Sequence, residues 1–319
     1  MVAPQVSFIV PLYNCLAHTQ AMLASLRASV PPGLAHEIIV IDDGSSDGTG
    51  EWLAAIAGAE HLSVLRNESN QGYARANNRA AATARGEILA LLNNDLLLRR
   101  GWLEPMLAVH ARLAAQKRAG VVGNVQFGVE SGARDHAGIV INAKAKPEHR
   151  RTLPWAGRLK GYSLVPAVTG ACMLLSAELW RELGGFDERY VNGCEDVDLC
   201  FRAADRGRVN AVALRSAVRH HVSASPNRKA RDEANAHLLA LRWADRLAEL
   251  ARPAWTSAYF ERYLPDPRDY PDPRLARQAA LCRLGLRRPP RRSAEGARAA
   301  LAVEFARWQA LEQPVAPCP

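Results

Sequence analysis

The chain has 319 residues, 41 Lys+Arg against 32 Asp+Glu, and a formal net charge of +9. With 48% hydrophobic and 23% charged residues it has the balance of a folded globular protein, which excludes a disordered or fibrous chain. The length allows one large domain or two of common size. The longest mostly apolar run, residues 165–177, falls short of the roughly 18 residues a membrane span needs. The N-terminus enters a strand-like run at once, without the basic and apolar segments of a secretory signal. Six cysteines at positions 15, 172, 194, 200, 282 and 318 contain no C-x-x-C pair, a spacing that suits neither a zinc site nor a disulfide framework. The expectation is a protein of the reducing cytoplasm.

The first hundred residues alternate regularly. Val6–Val10 is a short apolar run ending at Pro11, followed by helical spacing from His18 to Ser29 and a Pro31-Pro32-Gly33 break. Glu37–Ile41 is a second buried-type strand. A helix from near Gly48, a strand Leu62–Arg66, a helix Arg75–Arg85, a strand Ile88–Leu92 and a helix Trp102–Ala115 follow. This alternation predicts an α/β fold with a mostly parallel sheet covered by helices on both faces. Such sheets bind ligands beyond the carboxyl ends of their strands.

Four successive strand ends deliver Asp/Asn-rich turns to that edge: Pro11–Asn14, Asp42–Thr49, Asn67–Tyr73 and Asn93–Asp95. Any one of them is explained by turn formation or by Ser46 or Asp47 capping a helix. Four on one edge are not. Further on, Glu195-Asp196 opens a helical pattern, where the positive end of the helix dipole favours carboxylates. Asp198, two residues later, faces away from them. Alternation through Leu214, Ser216, Val218 and His220 closes the region, with His221 adjacent and a Ser223–Ser225 turn behind.

Residues 226–319 hold 17 of the basic and 11 of the acidic residues, a net of +6. Ala230–Leu250 reads as a helix, Pro253, Pro265, Pro267, Pro271 and Pro273 read as breaks, and Ala294–Glu312 reads as a last helix before a Pro-rich, disordered end. The basic tail admits three readings: a solvated helical face, attraction to an anionic membrane surface, or nucleic-acid binding. Its arginines are mixed with acids and few aromatics interleave them, so no nucleic-acid partner is expected. The expected domains are residues 1–225 and a helical, basic extension 226–319. Residues 127–161 carry no readable pattern.

The elements Val6–Asn14, Ile38–Thr49, Asn70–Asn78, Leu91–Asp95, Gly170–Asp187 and Glu195–Arg202, in this order, resemble family 2 of the inverting glycosyltransferases, with the GT-A fold. The second half is most similar to the rhamnosyltransferase-like branch. The resemblance implies a sugar transfer from a UDP- or dTDP-sugar, dTDP-rhamnose among them, to a hydroxyl of a bacterial surface polysaccharide or lipid-linked glycan. It implies that Pro11 and Tyr13 wall the base and that Asp43 accepts a hydrogen bond from its ring N–H. Asn14, Gly72, Asn77 and Asn94 complete the nucleotide-sugar site, with Asn77 opening a helix. Asp95 stands in the position of the family's metal motif, and either His220 or His221, with His220 in the better phase, would join it on Mg²⁺ or Mn²⁺ at the donor diphosphate. Asn93 and Asn94 depart from the strict motif by bringing amides, so metal affinity would depend on bound nucleotide. Asp196 is the implied general base, with Glu195 orienting it or the acceptor. Association with the inner face of the membrane follows if the acceptor is lipid-linked. Two alternatives remain: a non-catalytic glycan- or partner-binding relative, and a sugar-1-phosphate nucleotidyltransferase, which would want a glycine-rich basic loop where Pro11–Asn14 stands.

Overall fold

A computed structural model describes residues 3–153, 155–221, 231–263, 272–284 and 286–312. The Ser223–Ser225 turn, Pro265, Pro267, Pro271 and the Pro-rich end lie outside them. The chain divides into two compact units, residues 1–139 with 149–231, and residues 140–148 with 232–319.

The first unit begins with β1 (Val6–Leu12), α1 (Leu16–Ser29), β2 (His36–Asp42), α2 (Thr49–Ile56), β3 (Leu62–Arg66), α3 (Tyr73–Ala81) and β4 (Ile88–Leu92). Next come β5 (Leu96–Leu97), α4 (Leu103–Ala114), β6 (Ala119–Gly128) and β7 (Arg134–His136). After a hairpin of β8 (Ile139–Ile141) and β9 (Pro147–His149), nearly all of which falls in the second unit, the first unit continues with α5 (Trp155–Lys160), β10 (Tyr162–Val165), β11 (Cys172–Ser176), α6 (Ala177–Leu183), α7 (Glu195–Asp205) and β12 (Val209–His220). The main sheet has the order β10-β12-β6-β11-β4-β1-β2-β3. Its pairs β1/β2, β1/β4, β2/β3 and β6/β12 are parallel, while β11 runs antiparallel to both β4 and β6 and so joins two parallel blocks. All seven residues of β1 are buried, as a central strand between parallel neighbours requires. Phe8, Val10, Leu26, Ile38, Val40, Leu92, Trp102, Val122, Leu174 and Val218 share one core.

Strand β1 runs through Pro11 to Leu12, two residues past the sequence expectation. Leu12's carbonyl accepts from the amide of Asp43, so alternation along the strand turns Pro11's nitrogen toward β4. The β4 ladder stops at Ile9, so the missing N–H leaves no partner stranded.

The second unit contains α8 (Asp232–Tyr263), α9 (Pro273–Arg283) and α10 (Arg292–Glu312). The expected break at Pro253 does not occur: α8 continues through it, and its irregular residue is Trp243 instead. Within this unit Lys146 reaches Glu304 at 2.7 Å, and Glu233 accepts from the Trp308 indole.

Candidate active site

The strand-end turns are stitched to one another before any ligand is considered. Asn14 has a left-handed backbone, donates its amide to Ser45 Oγ at 2.7 Å and accepts from the Ser46 amide at 2.9 Å. Asp42 accepts from the Ser45 amide, and Asp47 accepts from the Leu16 amide and from Thr49. Gly44, at φ +79°, lies so close to the next turn that a Cβ would sit 2.7 Å from the Ser69 backbone.

Asp43 is 4% exposed. Its Oδ1 accepts from Asn67 Nδ2 at 2.6 Å and from the Gln71 amide at 2.9 Å, and its Oδ2 accepts from the Gly72 amide at 2.9 Å. The carboxylate thus shapes the 67–72 turn, and three of its roughly four acceptor sites are taken. Gly72, at φ +91°, starts α3 with a conformation other residues resist. Tyr13, just past β1 on this edge, is 41% exposed and offers a ring face for stacking.

The Asn93–Asp95 turn meets β12. Asp95 Oδ1 is buried, accepts no hydrogen bond and lies 3.1 Å from His220 Nε2. His221 donates its backbone amide to the Asp95 carbonyl, while its ring packs on His18 at 4.4 Å between centroids. So the structure brings His220, not His221, to the carboxylate. Asn93 Oδ1 is also buried without a partner, whereas Asn94 donates to Thr19 Oγ1 and ties the turn to α1. A carboxylate oxygen and an imidazole nitrogen with orphaned buried oxygens beside them fit Mn²⁺ or Mg²⁺. Among the described residues no group of three or more His, Cys, Asp or Glu could hold a metal, so the remaining ligands would come from a diphosphate.

Glu195 and Asp196 open α7 as expected. Asp196 is half-buried and accepts from the Gly170 amide at 2.7 Å. Glu195 is buried and accepts from the Gly193 amide at 2.7 Å, reaching back over its own helix start. Asp198 is fully buried and paired with Arg202 at 2.7 Å, whose other nitrogens donate to the Leu183 and Gly185 carbonyls. It is part of the scaffold.

Two expectations need correction. Pro11 is buried inside β1 and gives a base no exposed face, because the strand continues beyond it. Asn77 does not open α3, which Tyr73 does. Asn77 lies one turn in, fully buried, its Nδ2 bonded back to the Tyr73 carbonyl and its Oδ1 without a partner.

Tyr73, Asn78 and Asn192 were not singled out by sequence. The Tyr73 hydroxyl donates to the Gly170 carbonyl at 2.8 Å, and its amide donates to Asn192 Oδ1 at 3.1 Å. Burial, followed by the Glu195 and Asp196 charges, pushes the Tyr73 hydroxyl well above its usual range, so it stays a proton donor at neutral pH. Asn78 both donates to and accepts from the backbone of Phe186. Only the Tyr position next to a Gly-containing turn hinted at this, since each partner lies about a hundred residues or more away.

The family model "Glycosyl transferase family 2" matches residues 7–183. The chain belongs to glycosyltransferase family 2. It is similar to the N-acetylglucosaminyl-diphospho-decaprenol L-rhamnosyltransferase of Mycobacterium tuberculosis, 27% identical over 70% of this chain and 78% of that one. It resembles the structure of GalNAc-T7 with UDP, GalNAc and Mn²⁺, at TM-score 0.61 and 19% identity over 82% of this chain and 52% of that one. It also resembles the mannosyltransferase PcManGT of Pyrobaculum calidifontis with GDP-Man and Mn²⁺, at TM-score 0.57 and 19% identity over 98% and 89%. Two further curated relatives are longer, and the chain spans 29% and 49% of their lengths. The fold of this family 2 chain is GT-A. No helix among the described residues is long and apolar enough to cross a membrane.

Proposed function

We propose that this chain is an inverting glycosyltransferase that moves a sugar from a UDP- or dTDP-sugar to a hydroxyl of a bacterial surface polysaccharide or lipid-linked glycan. L-rhamnose is the sugar that the mycobacterial relative's name favours. One connection supports the reading. The Asn93 amide donates to the Ala171 carbonyl and the Gly170 amide to Asp196, so the turn holding Asp95 and the carboxylate on α7 are tied to the same short segment.

Tyr13 supplies the ring on which the base stacks, and the 67–72 turn, held by Asp43, forms the wall beside it. Asp95 and His220 would hold a divalent cation against the diphosphate, which stabilises the negative charge of the leaving group as a Lewis acid. Asp196 takes the proton of the acceptor hydroxyl as its oxygen bonds to the anomeric carbon. The bond from that carbon to the diphosphate oxygen breaks on the opposite face, and the electron pair leaves with the nucleotide. Glu195 shapes the helix start that aims Asp196.

The test is thermal unfolding with UDP, dTDP, GDP, CDP or ADP, each with Mn²⁺, Mg²⁺ or EDTA, because a native-state ligand raises the midpoint by mass action. Stabilisation by UDP or dTDP that disappears in EDTA is the expected result. No response to any nucleotide would overturn the reading in favour of a non-catalytic relative.

A further inference from the structure

Unit 2 carries a surface that the transfer reaction does not explain. Between Arg274 and Arg292 the sequence has seven arginines and no acidic residue. At the end of α9 two leucines stand out in water: Leu284 is 71% and Leu286 69% exposed. Their backbone is ordered, the Leu284 amide bonding to Ala280 and the Leu286 amide to Leu281. Behind them Arg252 of α8 donates to the Pro289 and Pro290 carbonyls, and Thr256 meets Ser293 Oγ at 2.7 Å. The leucines are therefore held outward by a built turn.

The charge around them is unbalanced. Arg283 is matched by Glu261 at 2.6 Å and Arg292 by Asp272 at 3.0 Å. Arg274, Arg277, Arg287, Arg288 and Arg291 are exposed and have no ion pair among the described residues. The acids that flank the stretch are Asp272, already paired with Arg292, and Glu295, on the first turn of α10. Exposed apolar side chains followed at once by the unpaired Arg287, Arg288 and Arg291 match the interface of an anionic bilayer, where the former enter the acyl boundary and the latter meet phosphate groups. A nucleic-acid groove would instead show stacking aromatics, and the turn 284–292 has none.

We infer that the α9–α10 turn, Leu284 and Leu286 with Arg287, Arg288 and Arg291, docks the protein on an anionic membrane surface. This inference stands apart from the transfer chemistry and holds for any donor. The test is flotation of the full chain with phosphatidylcholine vesicles, with and without phosphatidylglycerol, at low and high salt. Binding should require phosphatidylglycerol and weaken with salt. The R287E/R288E double variant should reduce partitioning by roughly tenfold or more, from about 1 kcal/mol per arginine at an anionic surface and the added repulsion of the glutamates. L284S/L286S should also reduce it while leaving the melting midpoint unchanged, since both side chains are already in water. Donor hydrolysis or transfer to a soluble acceptor should stay at wild-type level in both variants, which separates failure of docking from failure of the enzyme reading. Absence of binding to anionic vesicles at low salt would overturn the proposal. So would binding that the arginine reversals leave intact, or binding to RNA as tight as to vesicles with no dependence on the leucines.

Discussion

Asp43→Asn separates two roles for one carboxylate. In the structure Oδ1 receives two donors and Oδ2 one, all from the 67–72 turn. An asparagine keeps one oxygen, and its NH₂ must face donors wherever it is placed. The cheaper orientation puts the NH₂ against the single amide of Gly72, leaving a buried N–H unsatisfied at about 1–3 kcal/mol. The two surviving bonds lose their charge assistance, roughly half their strength, which adds about 1 kcal/mol. The total is about 3 kcal/mol. At about 2–4 °C per kcal/mol for a domain of this size, the ligand-free protein should melt some 6–12 °C lower. Scanning calorimetry or circular dichroism on the apo protein reads this directly, and UDP and dTDP affinity is measured alongside. A variant whose apo midpoint matches wild type while nucleotide affinity collapses would refute the argument. It would return Asp43 to direct contact with the base.

Asp196→Asn should keep nucleotide stabilisation while turnover falls by about 10²–10⁴, read by thermal shift against product formation. Asp95→Ala and His220→Ala should each abolish the part of the nucleotide-induced shift that EDTA removes. Tyr73→Phe, which frees the Gly170 carbonyl, should lower kcat about tenfold with little change in donor KM, since the amide of the same residue, in the preceding peptide unit, is the one that donates to Asp196. His136 is fully buried with neither ring nitrogen hydrogen-bonded, and burial, then the charges of His149, Arg150 and His220, holds its protonation well below the usual range. The unfolded chain therefore binds a proton that the folded one refuses, so stability should fall as pH drops below about 6.5. His136→Phe should flatten that part of the curve in pH-resolved unfolding.

The strands were legible where burial is two-sided. Ile88–Leu92, buried at four of its five residues between β1 and β11, lies at the positions read from sequence because a strand covered on both faces is a continuous apolar run; Leu62–Arg66 matches too, although it is the edge strand β3 and only Leu62 is buried. Asp95, His220, Glu195 and Asp196 were legible as positions because each ends or begins such an element. Residues 127–161 were not, since they form three-residue strands and a six-residue helix, too short for either period to register. Pro253 misled because a proline costs a helix one bond and a clash, and neighbouring packing can absorb both. The work of Asp43 was invisible for a different reason. Its three donors lie 24 to 29 residues downstream, in a turn that contacts it only after β1, β2 and β3 have paired.

That same distance explains why α3 carries so much of the site. Its first amides are held from one side by Asp43, through Gln71 and Gly72, and from the other by Asn192, through Tyr73. One turn further, Asn78 grips Phe186 in the loop that leads to α7. The Tyr73 hydroxyl then closes the circuit through Gly170 to Asp196. The β1–β4 block and the β6/β12 pair on which α7 packs are joined in the sheet only through β11. Their alignment at the carboxyl edge thus depends on side chains and backbone amides at one helix terminus. A base displaced by an ångström loses most of its effect. Loosening the turn at Asp43 should therefore misplace Asp196 as well as soften the nucleotide wall.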